Sequence, residues 1–171
     1  MRRRWPTGHG TLIFVGLNPS RADSQHNDPT LRRLLAFARL WGFGDLVVLN
    51  LFARVSSTPT ALHQVRDPIG CNNNIILERW LKRWAASPDL ELWCGWGARG
   101  GRWNRDSFVL ERIGSVLSDR RRVAPGSPEP FSIGLTRGGH PRHPLYAAKT
   151  SMRHPYGWAS IEKIRHPEEQ S

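Results

Sequence analysis

Thr11-Leu-Ile-Phe-Val-Gly-Leu-Asn-Pro-Ser20 is the stretch on which the fold turns. Residues 11–17 are β-branched or apolar and are halted by Gly16 and Asn18-Pro19, which is the pattern of a buried strand. Three more runs share this design: Leu46-Val-Val-Leu-Asn-Leu-Phe52, Leu90-Glu-Leu-Trp-Cys-Gly-Trp-Gly97 and Phe131-Ser-Ile-Gly-Leu-Thr136, the last entering Gly-Gly-His-Pro-Arg-His-Pro-Leu-Tyr146. Each ends in a polar or glycine-rich cluster. Helical patterns separate them, which predicts right-handed βαβ crossovers and a three-layer α/β/α domain around a central four-stranded, mostly parallel sheet. Such sheets bind ligands at the carboxyl ends of their strands, so all four clusters are expected to line one crevice.

Between the first two runs, Thr30 or Asp28 can cap a helix with Pro29 in its first turn. Leu31, Leu34, Leu35, Ala38 and Trp41 form its apolar face, and Gly42 and Gly44 stop it. Residues 56–75 are turn-rich. Asn72 to Asn74 can cap a helix over about 75–86 that carries Ile75, Ile76, Leu77, Trp80, Leu81 and Trp84 inward. A further helix is expected around 104–118. The stretch from Arg120 to Pro130 is expected to be a solvated loop, and the fourth strand to span about 131–135. The chain reads as a single domain with its core in about 11–150 and a short polar tail past Gly157.

The chain has 171 residues and a net charge of +11. Of its 25 basic residues only Lys82, Lys149 and Lys163 are lysine, the rest arginine. Arginine grips phosphate bidentately and stacks on bases, so a polyanionic partner, a nucleic acid, is expected. The two cysteines, Cys71 and Cys94, form no CxxC pair and no disulfide framework, which points to a cytoplasmic setting. No apolar run approaches the ~20 residues of a membrane span. No obligate protein partner is evident. The His-Pro pairs at His140, His143, His154 and His166 match no zinc spacing, so neither a metal nor another cofactor is expected.

Taken in order, these clusters resemble a known family. Gly16-Leu-Asn-Pro-Ser20 resembles the first active-site motif of the uracil-DNA glycosylase superfamily. Val47-Val-Leu-Asn50 is similar to its base-reading strand end, Leu92-Trp-Cys-Gly-Trp-Gly97 to its third strand and Trp-Gly turn, and His140-Pro-Arg-His-Pro-Leu145 to its closing His-Pro motif. Within the superfamily the chain looks most like the branch labelled DUF1643, on Asn18-Pro19-Ser20, Asp28-Pro-Thr30, Arg32-Arg33 and Asn50-Leu-Phe52. The resemblance spans about residues 11–150. It implies the superfamily's fold and excision of a pyrimidine, here a modified base of bacteriophage DNA.

The chemistry follows from the bond to be broken. A glycosylase must draw its nucleotide out of the stack. Cleavage then leaves negative charge on the departing base and positive charge on the sugar. A donor to the base O2 stabilises the first, and a held water at C1′ captures the second. On this resemblance His140 is the expected donor, with His143 the alternative because the motif carries one extra residue, and Asn18 holds the water. Asn18 stands where many superfamily members place Asp, and an amide is no general base at neutral pH. Asn50 can present its amide to one pyrimidine edge, Phe52 can stack on the ring, and Gly16 lets backbone approach it. Ser20, where uracil-specific relatives carry a bulky aromatic, leaves room for a large C5 substituent. Arg142, His143 and Leu145 would press into the gap left by the base, with Leu145 as wedge. Arg21, Arg54 and Arg137 are candidate phosphate contacts. No lysine lies at a strand end to form a Schiff base, so the expected activity is monofunctional. The alternatives are a uracil or mismatch repair glycosylase and a non-catalytic nucleic-acid-binding module.

Overall fold

The computed structural model describes residues 1–19, 28–53 and 67–157. Its centre is a six-stranded mixed sheet formed by β1 (Arg2–Arg4), β2 (His9–Gly16), β3 (Phe43–Asn50), β4 (Leu90–Cys94), β5 (Phe131–Ser132) and β6 (His154–Pro155), in the spatial order β1-β3-β2-β4-β5-β6. β2 runs parallel to both β3 and β4, and β4 parallel to β5. The expectation of four strands is therefore corrected to six. β1 and β6 lie antiparallel on the two edges, from an arginine triplet and a His-Pro pair that carry no strand pattern. Tertiary pairing makes them: Arg2 and Arg4 converge on the buried carboxylate of Asp45 in the neighbouring strand.

Alternation along β2 sorts the core into two layers. Leu12 and Phe14 face α1 (Pro29–Leu40), whose Leu31, Leu34, Phe37 and Ala38 are buried against them. Ile13 and Val15 face the opposite layer, built from α2 (Asn73–Ala85) and α3 (Arg105–Val123). Asp28 is the residue that caps α1, its Oδ1 accepting from the Leu31 N–H at 2.7 Å, with Pro29 in the first turn. Glycine freedom is needed at Gly97, where φ of +72° turns the chain sharply out of the loop after β4.

Two helical expectations are corrected. Ile75 and Ile76 are exposed, because α2 begins at Asn73 and its buried stripe runs through Leu77, Leu81 and Trp84. The second helical pattern does not stop at 118: α3 continues to Val123, so the basic triplet at 120–122 is helical. Arg120 is fully buried, with its guanidinium donating to the carbonyls of Trp84, Ser87 and Leu90 and lying 5.1 Å from the Trp84 ring. It ties the end of α2 to the turn after it and to the start of β4, a role that sequence charge alone disguises. The fourth strand is shorter than expected, with its ladder limited to Phe131–Ser132. Among the described residues no helix is long and apolar enough to cross a membrane.

Candidate active site

The ends of β2 and β3 are in register, Gly16 opposite Asn50. The pairing continues beyond the strands through Leu51 N–H to Gly16 O at 2.9 Å and Phe52 N–H to Leu17 O at 3.0 Å. Two polar residues are thereby brought side by side, Asn18 just past β2 and Asn50 closing β3. Both line a cavity of about 140 Å³ on the α1 side of the sheet. Phe14 and Val48 of the strands and Leu31 and Leu34 of α1 supply apolar wall, and His143 enters from the loop after β5.

Lack of a side chain at Gly16 keeps this cavity open. A Cβ there would lie 2.8 Å from Phe14 Cε1 and 3.0 Å from Asn50 Oδ1. Gly95, past the end of β4, makes room from the other flank, since its Cβ would fall 2.4 Å from Phe14 Cε2. The Phe14 ring is held edge-on to Trp93, with centroids 4.8 Å apart. The Asn18 amide donates from Nδ2 to the Pro19 carbonyl at 3.3 Å.

His143 sits at the start of a 3-10 turn, Pro144–Tyr146. Its Nδ1 accepts from the Leu145 N–H at 3.3 Å, so in the neutral ring the proton resides on Nε2. Burial lowers its pKa from the usual value of 6.5, opposed by the charge of Asp28. The imidazole is therefore neutral at pH 7 and carries one N–H donor. Arg33 of α1 anchors the turn by donating to the carbonyls of Pro144 and Ala147.

His140, the expected donor to the base, is not among the cavity-lining residues. Its Nδ1 lies 3.2 Å from Oδ2 of Asp106 at the start of α3. A tight hairpin bridged at Leu135 and Pro141 turns His140 toward α3, and the chain that leaves it carries His143 to the cavity. Phe52 is corrected too: it is fully buried in the α2/α3 layer, its ring 5.5 Å from Trp103. Phe14 is the aromatic residue at the cavity, and its signal was its in-phase spacing with Gly16 along a strand. Arg137 and Arg142 are exposed, and Arg142 also donates to the Leu135 carbonyl at 3.2 Å. Leu145 is exposed next to the cavity histidine, as is Tyr146. Ser20, Arg21 and Arg54 lie outside the described residues.

Three polar residues hold the Asn50 loop: Asn73 and Asn74, expected as helix caps, and Arg105, for which the sequence offered no role. Asn73 Nδ2 donates to the carbonyls of Asn50 (3.1 Å) and Leu51 (3.0 Å), and buried Arg105 donates to Leu51 O (3.0 Å) and Asn74 Oδ1 (2.9 Å). α2 has no side-chain N-cap bond from Asn72, whose backbone is already near-helical (φ −99°, ψ −3°) and not in the extended conformation that a capping side chain uses. Among the described residues no group of three or more His, Cys, Asp or Glu side chains is gathered to hold a metal.

No curated protein and no solved structure matches this chain. A family model, that of a protein of unknown function, DUF1643, matches residues 1–145, a span that contains Asn18, Asn50 and His143. The chain belongs to the DUF1643 family.

Proposed function

We propose that this protein is a monofunctional DNA glycosylase that takes a C5-modified pyrimidine into the cavity and hydrolyses its N-glycosidic bond, leaving an abasic site. The supporting observation is the convergence of Asn18, Asn50 and neutral His143, from the loop after β2, the end of β3 and the loop after β5, on one cavity. Its volume is close to the ~150 Å³ that holds a benzene ring in an apolar protein cavity, so a single six-membered ring suits it. The net charge of +11 favours a polyanionic partner.

The roles follow from the chemistry of each group. Asn50 presents an amide acceptor and donor to the pyrimidine edge, while Phe14 gives the ring an apolar surface. As the bond between the base nitrogen and C1′ breaks, its electron pair goes to the base, and the His143 Nε2–H donates to the oxygen where that charge gathers. Water held by the Asn18 carbonyl oxygen adds to C1′ and releases its proton to solvent, since an amide cannot retain it. Ser20 is the sequence ground for a C5 substituent such as a hydroxymethyl or glucosyl group. In phage DNA such a base would make the activity an antiviral defence, carried out in the cytoplasm.

The amide at position 18 specifically favours a second reading, a non-catalytic nucleic-acid-binding module on the same fold. Incubation with duplexes and single strands containing uracil, 5-hydroxymethyl or glucosylated pyrimidines, followed by alkali, separates the two. Strand breaks that disappear in both Asn18→Ala and His143→Ala support the glycosylase. Tight binding with no breaks on any substrate overturns it.

A further inference from the structure

The proposed site leaves the second imidazole of the His-Pro motif without a role. His140 Nδ1 and Asp106 Oδ2 are 3.2 Å apart, both atoms are inaccessible to solvent, the ring is not aligned for a full hydrogen bond, and neither atom is satisfied by any other described group. The other oxygen of Asp106 accepts from the Ser107 N–H at 2.8 Å. A carboxylate oxygen facing a ring nitrogen at this distance favours the proton on that nitrogen, where it points a donor at an acceptor, over a bare nitrogen that would set two acceptors against each other.

The geometry points to His140 and Asp106 as a latch that positions His143, with the two histidines held in opposite tautomers: the proton on Nδ1 in His140 and on Nε2 in His143. This rests on the glycosylase reading for its catalytic consequence alone. The route from latch to cavity is short and continuous. Thr136 N–H donates to His140 O (2.8 Å) and Gly139 N–H to Thr136 O (3.0 Å), closing a hairpin bridged at Leu135 and Pro141. The next peptides are pinned from both sides, Pro141 O by the Gly97 N–H (2.8 Å) and Arg142 N–H by Gly134 O (2.8 Å). His143 follows directly, packed against Gly97, where a Cβ would meet its own Cβ at 3.4 Å. The hairpin is thus tethered to α3 through His140, and the two peptides between that tether and His143 are held by backbone hydrogen bonds. Gly101 and Gly138 bracket the tethered ring, where a Cβ at either would meet it at 3.4 Å.

Long-range nitrogen–proton correlation spectra of the ring nitrogens, recorded on the full chain at about pH 8, where unperturbed imidazole is neutral, test the tautomers without any substrate. His140→Asn and His143→Asn spectra assign the signals. A protonated Nδ1 for His140 and a protonated Nε2 for His143 are expected, and an Nε2-protonated His140 overturns the proposal. The catalytic arm uses the duplex that gives strand breaks. His140→Ala shifts the His143 ring signals and lowers the turnover rate by about 10- to 100-fold with KM little changed, as expected of a misplaced donor. His140→Asn, whose amide nitrogen replaces the donor Nδ1, restores most of the rate. Equal loss in both variants overturns positioning, because His140 Nε2 would then act directly. If wild-type protein releases no base from any duplex, the glycosylase reading fails, and the spectra alone decide the latch.

Discussion

Replacing Gly16 by alanine adds one methyl at the floor of the cavity. The added carbon would sit 2.8 Å from Phe14 Cε1 and 3.0 Å from Asn50 Oδ1, both closer than ordinary van der Waals contact. Neither neighbour yields freely. Phe14 is wedged between this position and Gly95, where a Cβ would stand 2.4 Å away, and its ring packs on Trp93. Overpacking of this kind costs about 1–3 kcal/mol. In a domain of this size each kcal/mol lowers the melting temperature by about 2–4 °C. The Asn50 amide, displaced from its place in the cavity, loses its match to a pyrimidine edge, so base release should fall more than stability does. Urea unfolding of Gly16→Ala, with Gly157→Ala as a control at a glycine whose Cβ would meet nothing within 4 Å, measures the first effect. Alkali cleavage of a substrate duplex measures the second. A variant with wild-type unfolding midpoint and wild-type base release would refute the argument that Gly16 is the floor of the site.

Replacing Arg120 by methionine keeps the stem but leaves the carbonyls of Trp84, Ser87 and Leu90 without their shared donor. The expected loss is about 3 kcal/mol in urea unfolding, and a loss within error of zero would contradict the structural role. His143→Ala removes a donor to developing negative charge and should slow base release by about 10²- to 10³-fold with KM little changed, checked by single-turnover kinetics. Because burial holds the His143 pKa below the unfolded value, the unfolded chain takes up this proton first as pH falls below about 6.5. Folded-state stability should therefore decline through that window more steeply in the wild type than in His143→Asn, and parallel decline would count against the buried neutral ring.

The site illustrates how much of a binding cavity is made by what is missing or diverted. Gly16 and Gly95 open the space, whereas Asn73, Asn74 and Arg105 expend their hydrogen bonds on keeping the loop after β3 in place. Arg33 does the same for the His143 turn from the far side of the cavity. Substitutions at these supporting positions should therefore act on geometry, with no contact to a bound base.

The sequence by itself determined the features that are local. Continuous apolar runs with turn residues at their ends marked β2, β3 and β4, and the Asp28-Pro29 pair marked the start of α1, because strand burial and helix capping are decided within a few residues. It also put Asn18 and Asn50 at the carboxyl ends of neighbouring strands. Whatever depends on a distant partner was decided only by tertiary structure. Arginines at 2, 4 and 120 show no partner in the sequence; Asp45 and the carbonyls of Trp84, Ser87 and Leu90 supply them in the fold. Phe52 and Phe14 have equal claims as aromatic residues near strand ends, and only the side of the sheet that each faces separates them. The same holds for His140 and His143, identical in residue type and in the proline that follows. The hairpin that ends at Pro141 turns the His140 ring to the Asp106 carboxylate, and the chain leaving it brings His143 to the cavity, since the direction of a side chain on a loop is set by what the loop packs against.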